Sequence, residues 1–61
     1  MTKYFVKLDI VDNNGGFVDT FQKNYQIESS SKEEAIKTAI EIFSSLNKES
    51  FISITNASII I

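Results

Sequence analysis

This chain has only 61 residues and contains no cysteine and no histidine. Small folds often depend on cysteine for disulfides, or on cysteine and histidine for a structural zinc site. A chain of this length buries only about 60% of the surface that its unfolded form exposes, so its own core contributes little net stability. We therefore expect a single domain over residues 1–61 that gains stability by associating with a second copy.

The same missing residue types exclude most catalytic chemistry. Without His or Cys the chain has no imidazole base and no thiolate nucleophile. Asp12, Asn14 and Gly16 resemble the start of a calcium-binding loop, but Lys23 stands where that loop needs its final bidentate Glu. We predict a non-enzymatic protein with no catalytic residues, no cofactor and no metal site.

Charge and hydropathy narrow the choice of partner. Six lysines and no arginine stand against eight acidic residues, giving a net charge of −2, which disfavours binding to nucleic acid. The first residues contain no apolar run of signal-peptide length, and no stretch near 20 apolar residues occurs. We expect a cytoplasmic protein with no membrane partner.

The N-terminal half has the pattern of a β-hairpin. Residues 3–11 alternate polar and apolar side chains, which is typical of a strand with one buried face. Asn14-Gly15 is a strong signal for a type I′ turn, so we place it at the tip and start a second strand at Phe17. This register sets Phe21 opposite Leu8 and matches the apolar faces of residues 3–11 and 17–28.

Two charged residues of the second strand disturb that match. Asp19 and Lys23 share a face with Phe21, where burial of a charge would be costly. Either a bulge re-aims part of the strand, or the strand lies at the sheet edge and these side chains reach water. We prefer the edge position.

A helix is predicted from Lys32 to about Leu46. Ser31 and Glu34 have the spacing of a capping box at its start. On a helical wheel its apolar side chains fall in one arc: Ala35, Ile36, Ala39, Ile40, Ile42, Phe43 and Leu46. A third strand follows over residues 51–55, with a weaker pattern continuing to the final isoleucines.

The order strand, strand, helix, strand predicts an α+β fold of ββαβ type. We expect a three-stranded antiparallel sheet in the order 2-1-3 with the helix packed on one face, because that order centres the most apolar strand under the helix. The alternative places the third strand beside the second as a parallel pair.

A hairpin followed by a helix that opens Ser-Lys-Glu-Glu-Ala-Ile, residues 31–36, resembles the N-terminal half of HicB-type antitoxins. That resemblance would imply a partial double-stranded-RNA-binding architecture and the neutralisation of a toxin. It covers about half of the chain, and the family's Pro-rich and Gly-Cys segment before the helix is absent. We do not assign the chain to this family.

One helix leaves the other face of such a sheet uncovered, and an exposed apolar patch usually marks a contact surface. We predict a protein interface, and a homodimer, formed by this face or by the Ile-terminated edge strand. The candidate interface residues are Phe5, Val11, Val18, Ile59, Ile60 and Ile61.

An accessory or inhibitor protein of a phage or mobile element would fit the small size of the chain. It would also fit the AT-rich gene that ten isoleucines and no arginine indicate. The alternative is a weak single-stranded nucleic-acid binder that uses Phe5 and Lys7 with Phe51.

Overall fold

The computed structural model describes residues 1–60, in which three strands and one helix are found. In chain order these are β1 (Thr2–Asn14), β2 (Phe17–Ser29), α1 (Lys32–Leu46) and β3 (Ile52–Ile59). Both strand pairs are antiparallel and the sheet order is β2-β1-β3. The predicted ββαβ fold and strand order 2-1-3 are therefore confirmed, and β3 does not form the alternative parallel pair with β2.

The helix packs on one face of the sheet, and the core lies between them. Its buried apolar residues come from three elements: Val6, Leu8, Ile10, Ile27, Ala35, Ala39 and Phe43. The three from the central strand β1 are each at most 1% exposed, as expected for alternate residues of a strand under a helix. The two alanines leave space for the helix to lie close to the sheet.

The ends of α1 are set by local hydrogen bonds. The backbone N of Glu34 donates to Ser31 Oγ at 3.2 Å, which is the hydroxyl half of the predicted capping box. At the other end, Asn47 donates to the Phe43 carbonyl from its backbone N at 3.0 Å and from Nδ2 at 3.1 Å. The prediction that Leu46 belongs to the buried arc is wrong, because its side chain is 73% exposed in the last helical turn.

The hairpin turns at Gly15-Gly16, one residue later than predicted. Asn14 pairs with Phe17, and the two glycines have φ values of +65° and +85°. A type I′ turn needs positive φ at both central positions, and glycine adopts it without the steric cost that Asn14 would carry. Each predicted cross-strand pair therefore shifts by two residues, so Phe21 faces Ile10 rather than Leu8. A two-residue shift keeps every side chain on its predicted face.

Substitutions at Gly15 test this turn. We expect Gly15→Ala to lower the free energy of unfolding by about 1 kcal/mol, since an L-residue is strained at this φ. Gly15→Asn is the matched control and should be close to neutral, because asparagine tolerates the left-handed conformation. Urea unfolding of both variants measures the difference, and an equal loss from both would contradict the type I′ assignment.

The charged residues of β2 lie at an open edge of the sheet. The register of β1 with β2 is unbroken over 13 residues of each strand, and both Asp19 and Lys23 are exposed. The preferred edge alternative is thus confirmed. The irregularity lies in β3 instead, where the register shifts between the pairs Asp9–Asn56 and Ile10–Ile54. Thr55 is the extra residue of this bulge, which lets isoleucines on both sides of it face the helix.

Candidate functional site

The hairpin is much longer than the helix that covers it. Thirteen residues of strand extend about 43 Å, whereas the 15 residues of α1 extend about 22 Å. Every residue from 13 to 24 is exposed, and we call this segment the hairpin arm. The molecule measures 42 × 20 × 13 Å as a result. The sheet therefore has two uncovered surfaces. One is the part of the helix-side face that belongs to the arm, beyond the reach of α1. The other is the whole face opposite the helix.

The face opposite the helix, here called the bare face, is mostly polar with an apolar cluster at each end. Ile60 donates its backbone N–H to the Phe5 carbonyl at 2.9 Å, so these two residues are neighbours at one end. Val11 lies opposite Thr20 and diagonal to Val18 at the other end. Phe5 and Val11 are six residues apart on β1, a distance of about 20 Å.

The predicted interface residues therefore do not form one continuous patch. Phe5, Val18 and Ile60 are 41%, 63% and 48% exposed. Val11 is half-buried on the bare face, whereas Ile59 pairs with Val6 and packs against the core beneath the helix. We therefore leave Ile59 out of the proposed surface. The sixth candidate, Ile61, lies outside the described residues.

Sequence reasoning missed two aromatic residues on the helix side of the arm. Phe17 is 79% exposed and Phe21 is 43% exposed, on the face that was expected to be covered. The lengths of the predicted elements contain the signal, because a helix of about 22 Å cannot cover strands of about 30 Å (residues 3–11) and about 40 Å (residues 17–28). These aromatics add an apolar surface beside the open edge of β2.

A shallow depression of about 370 Å³ lies on the sheet near the β3 bulge. Asp9 is the only titratable residue among its lining side chains, which include Thr20, Gln22 and Thr55. The hydroxyl of Thr55 donates to the Asp9 carbonyl at 3.2 Å, and Nδ2 of Asn56 donates to Asp9 Oδ2 at 3.3 Å. Asp9 thus bonds to Thr55 through its backbone carbonyl and to Asn56 through its carboxylate, and no second acid or base lines the depression. Residues 1–60 also contain no group of three acidic side chains placed to hold a metal ion.

Two like charges face each other near the tip of the hairpin. Asp12 lies opposite Asp19, and within residues 1–60 its Oδ1 atom is buried without a hydrogen-bond partner. Directly opposed like charges destabilise a strand pair.

Replacing the inner carboxylate of this pair tests that cost. We expect Asp12→Asn to raise the free energy of unfolding by about 0.2–1 kcal/mol at neutral pH and low salt. Asp9→Asn is the control, because it removes an acceptor that Asn56 uses and relieves no opposed charge. Urea unfolding compares the two variants, and a loss of stability in Asp12→Asn would show that the opposed charges are not the dominant effect.

No family model, curated protein or solved structure matches the chain. The partial resemblance of residues 31–36 to HicB-type antitoxins therefore has no support from these comparisons. Among residues 1–60, no helix combines the length and the apolar character needed to cross a membrane.

Proposed function

We propose that this chain is a non-enzymatic protein-interaction module that acts as a homodimer in the cytoplasm and presents its bare face to a second protein. The observation that carries the proposal is the uncovered sheet. One short helix shields one face at one end, and exposed apolar residues lie on the bare face and on the hairpin arm.

The extended shape supports association. The accessible surface is 4304 Å², compared with about 4,000 Å² for a folded monomer of 6.9 kDa. The radius of gyration is 12.2 Å, compared with about 10.5 Å for a compact domain of this length. Both differences indicate that one copy leaves surface exposed that a compact fold would bury, and a second copy would supply the missing burial.

The chemistry of the exposed residues favours binding a protein over catalysis. The chain lacks His and Cys, and the depression near the β3 bulge has a single carboxylate among its lining residues. We place the protein among accessory or inhibitor proteins of phages or mobile elements, because it is small and because ten isoleucines against no arginine indicate an AT-rich genome.

The alternative function, weak binding of single-stranded nucleic acid, has less support from the geometry. Phe5 and Lys7 share the bare face, but the Phe51 carbonyl accepts from the backbone N of Asn13 at 2.9 Å. Phe51 thus lies beside a residue eight positions from Phe5 along β1, about 26 Å away. The three side chains do not form one surface on which successive bases could stack.

Size-exclusion chromatography with light scattering tests the proposed function. We expect a mass near twice 6.9 kDa at high protein concentration, falling towards 6.9 kDa on dilution. A monomer at every concentration would contradict the homodimer. Titration with a labelled single-stranded oligonucleotide tests the alternative, and tight binding that weakens steeply with salt would favour it over a protein partner.

A further inference from the structure

The outer edge of β2 is the longest unpaired edge of the sheet. Its 13 residues pair with β1 without a shift in register, whereas β3, at the opposite edge, is interrupted by the bulge at Thr55. Bulges blunt an edge, and a long regular strand without one is a template for another strand. This edge also contains no proline.

The hydrogen bonds show which residues of β2 face that edge. The backbone N of Asn13 donates to Phe51 and the Phe5 carbonyl accepts from Ile60, so odd-numbered residues of β1 bond towards β3. Successive residues of a strand direct their backbone N–H and C=O groups alternately to its two neighbouring strands. Even-numbered residues of β1 therefore bond to β2, where their partners are odd-numbered. The even-numbered residues of β2, among them Thr20 and Gln22, therefore direct their backbone groups to the open edge.

Resting on the proposed homodimer, we propose that two copies join by antiparallel pairing of their β2 strands about a two-fold axis at Phe21. Thr20 then pairs with the partner's Gln22, and both have backbone groups directed to the edge. The two Phe21 side chains meet on the axis in a non-hydrogen-bonded pair, where side chains approach most closely. The two sheets become one six-stranded sheet.

The sequence of β2 is self-complementary about this axis. Aromatic residues occur at positions 17, 21 and 25, and Asp19 and Lys23 lie two residues on either side of the centre. Pairing about Phe21 places each Asp19 opposite the partner's Lys23, which gives two opposite-charge pairs per dimer. It also places each Phe17 opposite the partner's half-buried Tyr25.

Other axes lose this complementarity. An axis at Asp19 opposes two aspartates, and an axis at Lys23 opposes two lysines. Axes at Thr20 or Gln22 set a charged residue against Phe21 of the other copy. Because like charges opposite each other destabilise a strand pair and opposite charges stabilise it, the Phe21 axis is favoured.

The shape of the fold permits this contact. The helix lies over the end of the sheet away from the arm, and residues 13–24 are exposed throughout. In the proposed dimer each arm runs antiparallel to the arm of its partner. The exposed aromatics Phe17 and Phe21 gain aromatic neighbours, and the bare faces of both copies stay open for another protein.

Charge exchange tests the register. We expect Asp19→Lys and Lys23→Asp each to raise the dimer dissociation constant about tenfold or more, because each creates two like-charge pairs. The double variant should restore it to near the wild-type value. Asp19→Lys also removes the opposition to Asp12, so lost dimer cannot be attributed to lost folding. Glu28→Lys, on the same strand outside the paired segment, is the control and should leave dimerisation unchanged.

Engineered cysteines locate the axis, since the chain has none of its own. In a non-hydrogen-bonded pair the Cα atoms are about 4.5 Å apart, within the range of a disulfide. Phe21→Cys should therefore form a cross-linked dimer on mild oxidation. Val18→Cys should not, because the two copies of position 18 are six residues out of register, about 20 Å.

The outcomes separate this inference from the proposed function. A wild-type dimer that resists both single charge reversals, or that cross-links through position 18 and not through position 21, overturns the edge pairing and leaves the homodimer standing. A wild-type monomer at every concentration overturns the proposed homodimer itself. Restoration by the double charge exchange together with cross-linking at position 21 establishes the register.

Discussion

Phe43→Ala is expected to lower the free energy of unfolding by about 3–5 kcal/mol. Phe43 is 3% exposed and is the largest residue that α1 contributes to the core. Domains are stable by only about 0.05–0.15 kcal/mol per residue, so a chain of 61 residues has about 3–9 kcal/mol in total. The expected loss is therefore about a third or more of the total stability, and far-UV circular dichroism during urea titration measures it.

Leu46→Ala is the matched control for this substitution. Leu46 lies on the same arc of α1, one turn later, but its side chain is 73% exposed. We expect a loss below about 1 kcal/mol, since little apolar surface leaves the core. Both variants are compared at one protein concentration, because dimerisation contributes to apparent stability. Equal losses from the two would contradict the position of the core.

Ala39→Leu is expected to cost about 1–3 kcal/mol, although it adds apolar surface. Ala39 lies on the face of α1 that packs against the sheet and is fully buried. A larger side chain there must push the helix away from the sheet or adopt a strained rotamer. Thermal unfolding followed by circular dichroism measures the loss.

The neighbouring exposed position gives the control. Thr38→Leu introduces the same side chain one residue earlier in the helix, where it meets solvent, and leucine has the better helix propensity. We expect it to be neutral or slightly stabilising. A gain of stability from Ala39→Leu would mean that the helix lies further from the sheet than described.

The parts of the fold that follow from local chemistry were predictable. The spacing of Ser31 and Glu34 gives the start of α1, and the period of two in β1 gives the buried face. The predicted faces of the strands are also correct, although the predicted hairpin turn is one residue too early. The resulting register error is two residues, and an even shift leaves each side chain on its side of the sheet.

The parts of the fold that depend on a choice between two local structures of similar energy were not predictable. Asn14-Gly15 and Gly15-Gly16 both fit a type I′ turn, and the choice depends on a small difference in backbone strain. The bulge at Thr55 has no clear local signal, although the isoleucines at 52, 54 and 59 share one face only if one residue is skipped. The exposure of Phe17 required a comparison of element lengths rather than residue types.

Amide hydrogen exchange by NMR tests association through the open edge of β2 most directly. At high protein concentration we predict slow exchange at the even-numbered amides Val18, Thr20, Gln22 and Asn24, which become hydrogen-bonded only in the dimer. On dilution these four amides should lose protection, while the odd-numbered amides between them stay bonded to β1. Even-numbered amides that exchange freely at every concentration would contradict the account.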